Sequence, residues 1–135
     1  MAPSPRRGEA TAEQRHTILV VEDDVLVRMA TANDLRGRGF DVIEAYNADE
    51  AVALLKSQVP VRLVFTDVRL PGSIDGLALA ALVAKTHPGL KIVITSGSEN
   101  CESRATEMAD AFFPKPYALD RVIDCIENLL AGDVV

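Results

Sequence analysis

Short apolar runs rich in Val and Ile alternate with longer segments of helical period along this chain. From His16 onward the runs are TILVV at 17–21, FDVIEA at 40–45, RLVFT at 62–66, KIVIT at 91–95 and AFF at 111–113. Short apolar, β-branched runs that alternate with helical segments are typical of a parallel sheet whose strands are joined by crossover helices. The alternation therefore predicts a doubly wound α/β fold of five strands and five helices.

Four of the intervening segments carry clear helix signals. The second helix is expected to begin after Asn47, a cap residue followed three positions later by Glu50, and to end before Pro60. In the other three, apolar residues spaced by three and four predict the face that packs on the sheet. These faces are Val25, Met29, Ala32 and Leu35 in the first helix, Leu77, Ala80, Ala81 and Ala84 in the third, and Val122, Ile126 and Leu129 in the last.

The fourth helical segment, about Glu99 to Ala109, contains no Leu, Ile or Val. Its shared face consists of Cys101, Ala105 and Met108. Because burial of so little apolar surface contributes little stability, we expect this helix to be the most mobile of the five.

Bulk properties favour a cytoplasmic protein of one domain. The chain has 135 residues, which suits a single core, and we expect a flexible leader at 1–15, a folded domain at 16–132 and a short tail at 133–135. A net charge of −6 argues against nucleic acid or an anionic membrane as the main partner. The two cysteines lack metal-ligand spacing, so they are interpreted as reduced thiols. No apolar run reaches the length of a membrane span, and the start lacks the apolar core of a secretory signal.

Acidic residues follow two strands that should be neighbours in the sheet. Glu22, Asp23 and Asp24 follow the first strand, and Asp67 ends the third. Doubly wound sheets bind ligands at the carboxyl ends of their strands, so these acids should converge. Asp24 is interpreted as a helix cap. The other three carboxylates would repel one another unless a cation neutralised them, and a set of donors made only of oxygen suits Mg²⁺.

A hydroxyl and an ammonium group complete the same edge. Thr95 ends the fourth strand, and Lys115 lies between Pro114 and Pro116 after the fifth. Alone, such a threonine is more often structural and such a lysine is solvated. Together with the acids they supply the parts for phosphoryl transfer: an attacking carboxylate, a cation site, and two groups that stabilise charge on phosphoryl oxygens.

From about Thr17 to Leu130 the chain resembles the receiver domains of two-component response regulators. The resemblance implies a flavodoxin-like (βα)5 sandwich with strand order 2-1-3-4-5, and a site that binds Mg²⁺. It further implies that Asp67 is the phosphoacceptor, that Glu22 and Asp23 bind the metal together with Asp67 and the backbone carbonyl of Arg69, that Thr95 and Lys115 hold phosphoryl oxygens, and that Phe112 is the switch aromatic.

The chain departs from the family pattern at two places. The turn after the acceptor, PGSIDG at 71–76, has one more residue than the common Pro-Gly-Met-Asp-Gly, which should alter the loop into the third helix. Arg69 and Gly97 occupy positions that the family uses to tune the rate of dephosphorylation. The resemblance therefore implies that these two residues set the lifetime of a phosphorylated state.

The resemblance implies a stand-alone receiver that takes a phosphoryl group from a histidine kinase or a histidine phosphotransfer protein. It would signal by protein contact through the face of the fourth helix, fifth strand and fifth helix, with no DNA-binding output and no enzymatic activity beyond its own phosphorylation and dephosphorylation. Two alternatives remain. A phosphatase of the haloacid-dehalogenase type usually needs a second Asp two residues after the nucleophile, where this chain has Arg69. A pseudo-receiver would bind its partner without phosphorylation, which the complete set of site residues argues against.

Overall fold

Five strands and five helices alternate in the computed structural model, which describes residues 15–97 and 102–131. The elements are β1 (Thr17–Val21), α1 (Val25–Gly37), β2 (Asp41–Ala45), α2 (Ala48–Lys56), β3 (Val61–Asp67), α3 (Gly76–Thr86), β4 (Lys91–Ser96), α4 (Glu102–Met108), β5 (Ala111–Pro114) and α5 (Leu119–Ala131). All neighbouring strands are parallel, in the order β2-β1-β3-β4-β5. The predicted doubly wound sheet and its order are confirmed, and every predicted strand bound lies within one residue of the observed one.

The sheet separates two apolar layers because successive side chains of a strand point to opposite faces. In β1, Leu19 and Val21 pack with the layer under α2, α3 and α4. Ile18 and Val20 pack with the layer under α1 and α5. The strands are thus covered on both sides, which is why their sequences are continuously apolar.

Side-chain caps begin three of the helices at the carboxyl edge of the sheet. Asp24 accepts hydrogen bonds from the amides of Leu26 and Val27 at 2.9 and 3.2 Å, as expected of a cap. Asn47 and Asp75 likewise accept from the amides three residues further on, each at 2.8 Å. The caps satisfy amides that have no partner within their helices.

The predicted inner face of α1 is wrong in its first half. Ala32 and Leu35 are fully buried, but Val25 and Met29 are 52% and 48% exposed. The buried face instead includes Thr31, and one turn before it lies Arg28, whose side chain bonds to backbone beneath the helix. Because a polar residue, Arg28, lies on the inner face, the spacing of the apolar residues alone predicts a helix face that is rotated from the observed one.

The faces of α3 and α5 are only partly as predicted. In α3, Ala81 and Ala84 are exposed. Leu and Ala occupy most positions of this helix, so its sequence does not specify a phase. In α5, Leu129 is only half-buried. The residues that do form the two inner faces are Gly76, Leu77, Leu79, Ala80 and Val83 in α3, and Val122, Ile123, Ile126 and Leu130 in α5.

The short helix α4 contributes one fully buried side chain, Ala105. Cys101, residues 1–14 of the predicted leader, and residues 132–135, which include the predicted tail, lie outside the described residues. Within the described ranges, no helix is long and apolar enough to span a bilayer.

The loop between β3 and α3 is fixed near its middle and where its two ends meet. Gly72 has a φ of +105°, a conformation that favours glycine, and Ser73 donates a hydrogen bond of 3.0 Å to Asp49 in α2. The amide of Gly76 donates to the carbonyl of Val68 at 2.8 Å. A Cβ on Gly76 would lie 1.9 Å from the carbonyl oxygen of Asp67. The first turn of α3 can therefore lie against the end of β3 only because residue 76 has no side chain.

Gly76→Ala is expected to destabilise the fold by about 2 kcal/mol or more, because the clash is with backbone and cannot be relieved by a rotamer change. Gly37→Ala is the matched control, since nothing lies within 4 Å of the added Cβ at that helical position. It should leave the free energy of unfolding unchanged or raise it by up to about 1 kcal/mol. Urea unfolding followed by circular dichroism measures both, and equal stability of the two variants would contradict the close approach.

Candidate functional site

Acidic residues of two neighbouring strands meet at the carboxyl edge of the sheet. The register pairs Val21 of β1 with Thr66 of β3, so the residues that follow, Glu22 and Asp67, lie side by side. Glu22 and Asp67 are 8% and 6% exposed, whereas Asp23 is exposed. All three line one open depression, together with residues of the loop after β3 and with Lys115.

Both carboxylate oxygens of Asp67 have donors. The amide of Arg69 donates to Oδ1 at 3.1 Å, and the ammonium group of Lys115 forms an ion pair with Oδ2. Lys115 reaches the site from the loop after β5, where its peptide bond to Pro116 is cis. The carboxylate is therefore held in one orientation in a nearly buried position.

Negative charge in the depression is only partly compensated. Burial is the main cause that raises the pKa of Glu22 to about 7; the charges of Asp67 and Asp23 contribute to the same rise, and Lys115 opposes it. Burial lowers the pKa of Lys115, but its hydrogen bond to Asp67 and the charges of Asp67 and Glu22 outweigh burial, so the net shift is upward. A lysine in this position stays protonated, and one ammonium group faces three carboxylates.

Thr95 is placed beside Asp67 by the strand register, which pairs these two residues across β3 and β4. It is 4% exposed, and its hydroxyl donates to the backbone carbonyl of Phe113 at 2.8 Å. Phe112 is half-buried and packs on the layer under α2, α3 and α4. The side chain of Phe113 packs on the opposite face of the sheet, with the layer under α1 and α5. The hydroxyl thus connects the site to β5 rather than to solvent.

The remaining predicted residues lie at the rim. The side chain of Arg69 is exposed, and Gly97 follows the end of β4. A Cβ on Gly97 would come within 3.9 Å of the Lys115 side chain, an ordinary contact distance. An alanine at position 97 would thus fit beside the lysine.

Two residues at the site were missed in the sequence. Tyr117 packs edge-on against Phe65 with ring centroids 6.2 Å apart, and burial and the charges of Glu22 and Asp67 raise the pKa of its phenol although Lys115 lowers it. Arg28 donates to the carbonyl oxygen of Glu22 at 2.9 Å. The one sequence signal for Arg28 was its spacing, because it lies four residues before Ala32, which was predicted to face inward.

The oxygen donors fit a hard cation such as Mg²⁺. Among the residues that the structure describes, no three His, Cys, Asp or Glu side chains are gathered closely enough to hold a metal by themselves. A cation between Glu22, Asp23 and Asp67 would need a backbone carbonyl and water to complete its shell, and Mg²⁺ commonly keeps several waters. The excess of negative charge and the absence of nitrogen or sulfur ligands agree with that ion.

Comparison with known proteins shows that this chain is similar to a domain of known regulatory proteins. Residues 18–127 match the family model of the response regulator receiver domain. The chain is 33% identical over 119 residues to the nitrogen assimilation regulatory protein NtrX of Azorhizobium caulinodans, covering 85% of this chain and 26% of that protein. The chain thus spans about a quarter of the length of this curated relative.

Solved structures agree with this match. The receiver domain of NtrX from Brucella abortus is 41% identical with a TM-score of 0.75, over 84% of this chain and 98% of that one. The response regulator TrrA of Thermotoga maritima, solved in complex with Mg²⁺ and BeF, is 28% identical with a TM-score of 0.78, over 85% and 99% of the two chains. The chain belongs to the family of response regulator receiver domains of two-component signalling.

Proposed function

We propose that this chain is a receiver that accepts a phosphoryl group on Asp67. The observation that carries the proposal is the environment of that carboxylate: it is nearly buried, ion-paired with Lys115, adjacent to Glu22 and level with Thr95 across the strand pair. A structural carboxylate would need one partner, whereas this one faces an open depression with further charged groups around it.

The donor is a phosphohistidine of a histidine kinase or of a histidine phosphotransfer protein. A carboxylate oxygen of Asp67 forms a bond to phosphorus, the bond from phosphorus to the imidazole nitrogen breaks, and its electron pair returns to the imidazole, which takes up a proton. The ammonium of Lys115 stands where charge on a phosphoryl oxygen develops. Arg69 contributes its amide to the orientation of Asp67.

Glu22, Asp23 and Asp67 would hold Mg²⁺ together with the carbonyl of Arg69, and the bound ion would supply positive charge to phosphoryl oxygens. The neighbour TrrA was solved with Mg²⁺ and BeF, which supports the assignment by analogy. Within this chain the support is a donor set made only of oxygen and the pKa of Glu22, raised to about 7 mainly by burial.

The phosphoryl group is expected to reset Thr95. Its hydroxyl now donates to the carbonyl of Phe113, and a phosphoryl oxygen on Asp67 would offer a charged acceptor instead. Release of Phe113 and movement of Phe112 would then change the surface of α4, β5 and α5, through which we propose that the receiver contacts a target protein. Such a switch is a shift between two populations, driven by the difference in stabilisation of the two states.

Asp67→Asn is expected to abolish phosphorylation by phosphoramidate with Mg²⁺, because the amide lacks the attacking oxygen anion. Asp75→Asn is the matched control: Asp75 lines the same depression, caps α3, and asparagine caps equally well. Intact-mass spectrometry should show one phosphoryl group on the wild type and on Asp75→Asn, and none on Asp67→Asn. Undiminished phosphorylation of Asp67→Asn would refute the assignment.

Glu22→Gln is expected to stabilise the metal-free fold at pH 8 by about 1 kcal/mol, because it removes a buried charge beside another carboxylate. Adding Mg²⁺ should then raise the free energy of unfolding of the wild type more than that of the variant. Glu107→Gln makes the same chemical change at an exposed position of α4 and should shift stability by less than about 0.5 kcal/mol. Urea unfolding with EDTA and with Mg²⁺ measures these values; a variant less stable than the wild type in EDTA would contradict the crowding.

A further inference from the structure

The backbone carbonyl of Glu22 lies one residue beyond the end of β1, where the ladder to β2 also ends. The amide of Glu22 continues the ladder to β2 by donating to the carbonyl of Ala45 at 3.0 Å, but β1 itself ends at Val21. The guanidinium of Arg28 supplies the missing donor, at 2.9 Å from the carbonyl oxygen. A side chain of α1 thereby fixes the peptide bond between Glu22 and Asp23.

Arg28 is itself held in place from β2. Its Nε lies 3.3 Å from Oε1 of Glu44, and only 17% of the side chain is exposed. The other oxygen of Glu44 pairs at 3.3 Å with Arg36, whose side chain is 45% exposed. The hydrogen bonds of Arg36 run to Val42 and Glu44 of β2 rather than to the acidic loop, which consists of Glu22, Asp23 and Asp24. The two arginines thus share one carboxylate, but only Arg28 reaches the site.

The acidic loop is held at three points on Glu22 and at one on Asp24. Oε2 of Glu22 accepts from the amide of Asp23 at 3.0 Å, so the amide, the carbonyl and the side chain of Glu22 all have partners. Asp24 caps α1 directly after it. Loss of the Arg28 bond would leave the Glu22 carbonyl without its donor and free the peptide between the two acids to rotate.

We propose that Arg28 is a positioning residue that orients Glu22 and Asp23 for a divalent cation. The inference rests on the proposed function, because it concerns the cation site of that function. Charge alone predicts the opposite effect, since a positive guanidinium near a cation site repels the ion and its removal should tighten binding. Positioning by Arg28 and simple repulsion by its charge therefore predict changes of opposite sign in the Mg²⁺ affinity when Arg28 is replaced.

The test is a Mg²⁺ titration of ¹⁵N-labelled protein, followed by the backbone amide signals of Asp23 and Arg69. Arg28→Met is expected to weaken the apparent affinity roughly tenfold, the size of effect typical for residues that orient metal ligands. Arg36→Met is the matched control, because it removes a positive charge from the same Glu44 without touching the acidic loop. It should bind Mg²⁺ within about twofold of the wild type, as expected when no ligand is disturbed.

An affinity of Arg28→Met equal to or tighter than that of the wild type overturns the proposal. Urea unfolding in EDTA is measured alongside, and if Arg28→Met does not unfold cooperatively, Arg28→Lys decides. It keeps the charge but lacks the forked geometry that serves Glu22 and Glu44 together, so weaker binding supports positioning and unchanged or tighter binding refutes it. A wild type with no Mg²⁺ response contradicts the proposed function and this inference with it, whereas a response that Arg28→Met leaves intact refutes only the role of Arg28.

Discussion

Three carboxylates share the carboxyl edge of the sheet with one lysine, and this imbalance of charge dominates the site. Two of the carboxylates are almost fully buried, and the ammonium of Lys115 is paired with Asp67 alone. Burial of Glu22 beside Asp67 disfavours its charged form, which raises its pKa to about 7. This cluster of carboxylates destabilises the fold in the absence of a cation, and the same negative charge attracts a cation.

The surrounding structure fixes these groups by contacts to backbone carbonyls rather than by the packing of large side chains. Gly76 lets α3 start against the carbonyl of Asp67, Arg28 binds the carbonyl of Glu22, and Thr95 binds that of Phe113. Each contact joins a strand end to a different neighbouring element. Thr95, the register partner of Asp67, is thereby joined to β5, while α1 holds Glu22 from the other side.

The strands and the site edge could be predicted because their signals are local. Continuous apolar runs specify buried parallel strands, and the rule for doubly wound sheets then brings Glu22, Asp67 and Lys115 to one edge without knowledge of any contact. The phase of α1 could not be predicted in this way, because Arg28 occupies an inner position through hydrogen bonds to Glu22 and Glu44. The inner face of α3 was predicted only in part, for the opposite reason: nearly every residue is apolar, so no period stands out.

Trapping the acyl phosphate tests the central claim most directly. Borohydride reduces an aspartyl phosphate to homoserine, so treatment of the phosphorylated chain followed by peptide mass mapping identifies the residue that carried the group. Homoserine is expected at position 67 and at no other aspartate of the depression. Conversion at Asp23 or Asp75, or a stable phosphoryl group that borohydride does not remove, would contradict it.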